Sequence, residues 1–217
     1  MSVCNKPEKD LSYKMLNEKK TNVKCVIVGD AMVGKTSLAR RLACLGFATD
    51  YNPTTFDNYV VTTSMGGKSY VLSLFDTAGQ EEYIHLRALS YVNCDVFLLC
   101  FSVATPESLQ QAYDKWLPEL QRFSPGTPLV LVATQIDRRD DGPDVVAPSS
   151  VKLKLRAPFV STKEGQQAAV KLQADCYVEC SSLTEAGISR LREAAIEYGL
   201  RRPDPEEKKG CNCSCVV

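Results

Sequence analysis

The chain carries no net charge, its 26 basic residues matching 26 acidic ones, so no global field marks it for nucleic acid. It has no apolar stretch of membrane-spanning length: the longest, Val96-Phe97-Leu98-Leu99-Cys100-Phe101, is far too short to cross a bilayer. Residues 1–22 lack an apolar h-region and are rich in Lys, Glu and Asn, which reads as a cytosolic chain with its ten cysteines reduced. Five of these, Cys25, Cys94, Cys100, Cys176 and Cys180, lie in or beside apolar runs, where a thiol behaves as a small hydrophobe, and no chemical role is assigned to them. Internal repeats are absent, which excludes a solenoid. The single histidine, His85, reads as an exposed helix or loop side chain rather than a catalytic base. The single tryptophan, Trp116, reads as core packing.

What is present fits one well-filled core: 217 residues, 44% of them apolar. The expected organisation is a mobile N-terminal extension (1–22), one domain (23–200) with a surface insertion at about 138–158, and a tail (201–217), the protein being monomeric. The centre of the domain is Gly29-Asp30-Ala31-Met32-Val33-Gly34-Lys35-Thr36, which fits the phosphate-loop pattern G-x-x-x-x-G-K-[ST]. The apolar run Val23-Lys24-Cys25-Val26-Ile27-Val28 before it reads as a buried strand. Leu38, Leu42 and Leu45 after it recur at helical spacing, with Gly46 ending that helix. A tight loop between strand and helix turns backbone N–H groups onto an anion, and the helix dipole adds to the attraction. Lys35 is placed to reach the β- and γ-phosphates and the Thr36 hydroxyl to ligate magnesium.

Asn52-Pro53-Thr54-Thr55 has loop composition. Tyr59-Val60-Val61-Thr62-Thr63 and Tyr70-Val71-Leu72-Ser73-Leu74-Phe75 flank Met65-Gly66-Gly67-Lys68 and predict an antiparallel hairpin. Its second strand runs into Asp76-Thr77-Ala78-Gly79-Gln80, an acid placed to hold magnesium through water, followed by a glycine that lets backbone N–H approach a γ-phosphate. Residues 96–101 read as a strand covered on both faces. Thr105 as N-cap, Pro106 and Glu107 then open a helix whose apolar face is Leu109, Tyr113, Trp116, Leu117 and Leu120, with Pro118 distorting its end. Leu129-Val130-Leu131-Val132-Ala133 is the next strand, and Thr134-Gln135-Ile136-Asp137 follows at its carboxyl end, where ligands bind in open α/β sheets. A helix over 161–174, a strand Cys176-Tyr177-Val178-Glu179-Cys180 and a helix over 185–198 stopped by Gly199 and Pro203 complete the chain.

Taken together, the phosphate loop, Asp76-Thr77-Ala78-Gly79-Gln80, Thr134-Gln135-Ile136-Asp137 and Glu179-Cys180-Ser181-Ser182-Leu183 resemble the nucleotide-site motifs of Ras-like small GTPases. Tyr59 preceded by Thr54-Thr55-Phe56-Asp57-Asn58, the insertion after Arg138 and the variant Thr-Gln-x-Asp motif look like the Rho family, nearest its cell-division-control and Rac branch. The resemblance implies an α/β P-loop fold, with a six-stranded, mostly parallel sheet, one antiparallel strand and helices on both faces. It implies GTP or GDP with Mg2+ as ligands, held by residues 29–37 including Ser37, and by Phe47, Tyr51, Thr54, Asp76, Gly79, Thr134, Gln135, Asp137, Ser181, Ser182 and Leu183. By that likeness Asp137 accepts hydrogen bonds from guanine, Gln135 and Phe47 cover the faces of the base, and Ser182 offers it a backbone N–H. Thr36 and Thr54 ligate magnesium, Thr54 only with the γ-phosphate present, so its loop and the loop from Gly79 report the bound nucleotide. Gln80 orients the attacking water, Lys35 holds phosphate, and a partner's arginine completes the catalytic set. Tyr51, Phe56, Asp57 and Tyr59 match effector contacts, and Phe75 a position that helps choose the exchange factor. Implied partners are effectors with Rac/cell-division-control-binding motifs, exchange factors and activating proteins.

Two departures matter. Ala31 stands where most of the family has glycine beside the γ-phosphate, which predicts slow, activator-insensitive hydrolysis unless so small a methyl is tolerated. Met32, Thr55, His85 and Ala88 also replace the usual family residues. In the tail, Ser214 is fourth from the end and Cys215 third, so prenylation at the usual site is not expected. Cys211, Cys213 and Cys215 after Lys208-Lys209 instead resemble the palmitoylated ends of some atypical Rho proteins, implying a place on the cytoplasmic face of plasma or internal membranes, or in the cytoplasm. Metal binding by these thiols and an unmodified tail are the alternatives. Three activities compete at this level: a slowly hydrolysing GTPase switch acting on the actin cytoskeleton, a GTP-bound scaffold governed by abundance and membrane attachment, and, least favoured, an ATP-dependent phosphotransferase.

Overall fold

The computed structural model describes residues 21–47, 54–139 and 159–201. Residues 1–20 of the expected N-terminal extension, Tyr51, most of the insertion and the cysteine tail lie outside the described residues, and Asn22, expected to end the extension, is the first residue of the first strand. β1 (Asn22–Gly29) leads to α1 (Lys35–Leu42), and β2 (Phe56–Met65) pairs with β3 (Lys68–Thr77) as a hairpin. A 3-10 turn, Glu81–Tyr83, opens α2 (Ile84–Tyr91), followed by β4 (Val96–Ser102) and α3 (Pro106–Gln111). A π-helical turn, Ala112–Trp116, joins α3 to α4 (Leu117–Phe123). β5 (Leu129–Thr134), the turn Ile136–Arg139, α5 (Thr162–Lys171), β6 (Cys176–Glu179) and α6 (Ile188–Gly199) complete the order.

The six strands run β2-β3-β1-β4-β5-β6, with β2 antiparallel to β3 and the other pairs parallel, as expected. Both faces are covered, which is why the central strands read as continuous apolar runs. Along β4, Val96, Leu98 and Cys100 pack on one side with Leu38 and Leu42 of α1 and Leu191 and Ala195 of α6. Phe97, Leu99 and Phe101 face the other, with Tyr91 of α2, Trp116, Leu120 of α4 and Leu172. Parallel register carries the carboxyl ends of β1, β3, β4 and β5 to one edge, with Ile27 level with Asp76 and Gly29 level with Cys100.

Four local expectations need correction. The helix after the phosphate loop ends before Gly46: Cys44 takes the left-handed conformation at φ 61°, with Cys44 N–H on the Arg41 carbonyl and Leu45 N–H on the Arg40 carbonyl. This is a Schellman ending built on a non-glycine residue, and it leaves Leu45 54% exposed, outside the core. Pro118 does not distort the helix end: the helical run continues past it to Phe123, and the irregularity lies just before it, as the π-helical turn. The last helix starts at Ile188, not 185, behind Gly187 at φ 74°. Gly199 is its last residue rather than its stop: a Cβ there would overlap Val23 Cγ1, so the missing side chain lets the helix approach β1. The hairpin, by contrast, turns on Gly66 and Gly67 at φ 58° and 75°, the paired positive angles that a two-residue connection requires. Ser161 caps α5 with a reciprocal Glu164 contact.

Candidate functional site

The phosphate loop depends on two glycines. Gly29 holds φ 139°, and a Cβ there would run into the Cys100 carbonyl of β4; Gly34, at φ 92°, precedes α1 with no side chain capping the helix. The first-turn amides of α1 are thereby left to an anion. Met32 takes φ 65° without being glycine and is 74% exposed. Lys35 is buried and crosses the loop, its Nζ donating to the Asp30 carbonyl at 2.7 Å. Burial lowers its pKa, offset in part by the Asp76 charge, so bound phosphate would favour its charged form further.

Beside Lys35 the oxygens expected around magnesium converge. The hydroxyls of Thr36 and Thr54 are 2.8 Å apart, and Asp76 is fully buried with neither carboxylate oxygen hydrogen-bonded. No group of three His, Cys, Asp or Glu suited to a metal occurs among the described residues. Two hydroxyls and one orphaned carboxylate fit a hard ion that keeps much of its own water, so Mg2+ fits this site. Burial raises the Asp76 pKa from 3.8 to about 6, against the lowering influence of the nearby Thr36 hydroxyl and the Lys35 charge. A carboxyl with a raised folded-state pKa stabilises the metal-free fold below its unfolded value, and that contribution is lost as pH rises through about 6. Mg2+ opposes this by demanding the ionised form. Magnesium affinity of the GDP-loaded protein is therefore expected to fall by about tenfold per pH unit below about 6 and to level off above it. Magnesium titrations followed by nucleotide release at several pH values check this; a flat profile would remove Asp76 from the site.

Past Asp76, the backbone of Gly79 is packed on the phosphate loop. A Cβ on Gly79 would overlap Ala31 N and the Asp30 carbonyl carbon, so glycine is a steric requirement here. Gln80 follows with its side chain exposed. Its carbonyl accepts from Arg87 Nη1 at 2.5 Å, and Arg87 grips Glu119 through Nε (2.7 Å) and Nη2 (2.6 Å). Tyr91 Oη donates to the same carboxylate, and all three side chains are buried. Burial and then the Glu119 acceptor push the Tyr91 phenol pKa up.

The base side is assembled from the ends of β5 and β6. Thr134 Oγ1 donates to the Val33 carbonyl at 2.6 Å, and Gln135 Nε2 to the Met32 carbonyl at 3.2 Å, so the motif expected to flank the base also braces the phosphate loop. Gln135 takes φ 59° and accepts from Ser102 Oγ. Ser181 Oγ donates to Asp137 Oδ1 at 2.5 Å and accepts from Thr184 N–H. Arg41 of α1 holds the neighbouring loop, donating to the Ser182 carbonyl (2.6 Å) and pairing with Glu185, with Leu183 O at 3.4 Å. Its guanidinium lies 6.0 Å from the centre of the Phe47 ring. Below, Glu179 receives a bidentate Arg139 pair at 2.9 Å and the Tyr177 hydroxyl. Burial opposes its charge, but these bonds outweigh it and hold the Glu179 pKa below the usual range.

The described residues of the expected nucleotide site thus converge on one edge of the sheet. Phe56, Asp57 and Tyr59 lie on the outer strand β2, with Phe56 40% exposed and 6.0 Å from the Phe75 ring. His85 is exposed on α2, as expected. Sequence reasoning missed Arg41, Arg87, Lys115 and Glu119, charged side chains whose partners lie far along the chain. It also missed that Trp116, although fully buried, donates its indole N–H to Asp30 Oδ1 at 2.8 Å. A phosphate loop after the first strand of a mostly parallel sheet, an acid at the end of the adjacent strand and base-side loops from two more strands define a P-loop nucleotide-binding protein. The family model described as Ras family matches residues 24–198, and the chain belongs to that family. Membership makes it a small GTPase, a GTP/GDP switch of a kind that generally hydrolyses GTP, typically uses Mg2+, and works with exchange factors, activating proteins and effectors.

Proposed function

We propose that this switch is of the Rho type, hydrolyses GTP slowly and resists activating proteins. In this reading it recruits effectors of actin organisation, cell shape and migration through Tyr51, Phe56, Asp57 and Tyr59. The observation that carries slow hydrolysis is the backbone contact between Gly79 and Asp30-Ala31. With the backbone of the two loops this close, a methyl on Ala31 would compete for room with Gln80 and a partner's arginine. Loop amides and Lys35 would hold the β- and γ-phosphates, Thr36 and Thr54 would ligate Mg2+ with Asp76 holding it through water, and Gln80 would orient water towards the γ-phosphorus. Bound Mg2+ supplies charge neutralisation on the phosphate oxygens. Asp137 and the Ser182 amide select guanine, with Gln135 and Phe47 over its faces. Acylation of Cys211, Cys213 and Cys215 would anchor the protein to the cytoplasmic face of plasma or internal membranes, since two or more chains hold where one does not.

Single-turnover hydrolysis of magnesium-GTP, alone and with a Rho-type activating domain, tests the role of Ala31 against Ala31→Gly. The glycine variant is expected to accelerate at least ~100-fold with the activating domain, part of the ~10³–10⁵ that a supplied arginine contributes, and the wild type by less than about twofold. Equal acceleration of both would mean the methyl is tolerated and the protein cycles as an ordinary switch. A wild type that neither turns over nor responds is a GTP-bound binding module whose output follows abundance and membrane attachment, the second reading that Ala31 favours.

A further inference from the structure

Between α3 and α4 the π-helical turn Ala112–Trp116 inserts a residue into the helical ladder, a feature often found at functional sites. Two consecutive residues of that turn reach the phosphate site. Lys115 Nζ donates to the Gly79 carbonyl at 3.2 Å, and Trp116 Nε1 donates to Asp30 Oδ1 at 2.8 Å. Gly79 and Asp30 are themselves in contact, at the junction of the Gln80 loop and the phosphate loop. One turn therefore grips both sides of the junction. Packing alone would be served by a phenylalanine at position 116. The indole N–H is a buried donor that needs an acceptor, and it has one in a carboxylate of the phosphate loop. The Trp116 ring is flanked by the cations of Lys115 and Arg87, each 4.8 Å from the ring, which limits its freedom to turn. The additional Lys115–Glu81 pair at 3.7 Å, with Glu81 84% exposed, contributes little.

We propose that Lys115 and Trp116 are positioning residues for GTP hydrolysis, the π-helical turn clamping the Gln80 loop to the phosphate loop through the Gly79 carbonyl and the Asp30 carboxylate. This rests on the hydrolase reading above. Neither residue belongs to a loop assigned to the nucleotide, so both act through Gly79 and Asp30. Their removal should change the rate of chemistry more than the hold on nucleotide, because a small misplacement of a catalytic group is costly while binding is spread over many contacts.

The test uses the full chain loaded with magnesium-GTP and the variants Lys115→Met, which keeps the apolar stem, Lys115→Arg, and Trp116→Phe, which keeps the core filled. Single-turnover hydrolysis is expected to slow by about five- to tenfold in Lys115→Met and Trp116→Phe, with GDP dissociation within about twofold of wild type. Lys115→Arg is expected to keep most of the rate. Amide hydrogen exchange of residues 79–82 should rise in Lys115→Met and Trp116→Phe. Wild-type hydrolysis and exchange in both would overturn the proposal. So would a parallel rise in GDP dissociation and fall in thermal midpoint, which would mark general loosening. If the wild type does not hydrolyse GTP, the hydrolase reading fails separately, and exchange decides the clamp: raised exchange at 79–82 upholds it and unchanged exchange overturns it.

Discussion

Glu119→Ala is expected to destabilise the folded protein by about 3–5 kcal/mol, the cost of leaving a buried charge without its partner. Arg87 and Glu119 have side-chain exposures of 1% and 5%, and the pair is bidentate at 2.7 and 2.6 Å. Burial alone would disfavour the Arg87 charge, but the Glu119 hydrogen bond and charge outweigh it and raise its pKa. Alanine at 119 removes the acceptor of Tyr91 as well as that of Arg87. Glu119→Gln keeps the shape and one acceptor and should cost less, about 1–3 kcal/mol. Urea unfolding of the GDP-loaded protein at fixed nucleotide and magnesium checks both values, since ligand binding itself shifts the midpoint. The effect should extend to the Gln80 loop, because the Gln80 carbonyl depends on the same guanidinium. A loss below about 1 kcal/mol would mean that water or a shifted side chain replaces the carboxylate.

Asp137→Asn is expected to weaken GTP binding by about a hundredfold or more, the loss of charge-assisted bonds worth ~1.5–3 kcal/mol each, and to improve binding of xanthosine triphosphate. The amide nitrogen would face the donors of guanine, whereas xanthine presents an oxygen there. The carboxylate is well placed to discriminate because it is held: Ser181 Oγ donates to it at 2.5 Å, and that hydroxyl is fixed by the Thr184 N–H at 3.1 Å. Competition titrations with GTP, XTP and ATP give the ranking. Unchanged GTP affinity would take guanine recognition away from Asp137.

Much of the fold was legible because the dominant signals are local. Both faces of β4 are covered, and its run of apolar residues says so without reference to any other strand. Thr105 and Pro106 marked a helix start through backbone chemistry of the first turn, although the Thr105 side chain makes no capping bond, while the Ser161–Glu164 capping box went unread. Helix ends were less legible. Gly46 and Gly199 look like stops in sequence, yet Cys44 takes the left-handed angle and Gly199 serves the contact with Val23. A residue's use at a helix end depends on what packs there, which no short window contains. Pro118 was expected to distort the end of its helix, whereas the irregular turn lies just before it and the helix runs on to Phe123.

By itself the sequence determined the phosphate loop, the acid at Asp76, the glycine and glutamine after it, and the base-side motifs, because each is a contiguous run whose chemistry depends on backbone shape and neighbouring residues. Only the tertiary structure decided how these runs are held together. Trp116 meets Asp30 across 86 positions, Arg41 meets the Ser182 carbonyl across 141, and Arg87 meets Glu119 across 32. Composition makes such side chains look like core or solvated surface. Parallel strand register and helix packing bring these distant donors and acceptors together, and where the pair is fully buried, as for Arg87 and Glu119, each depends on the other.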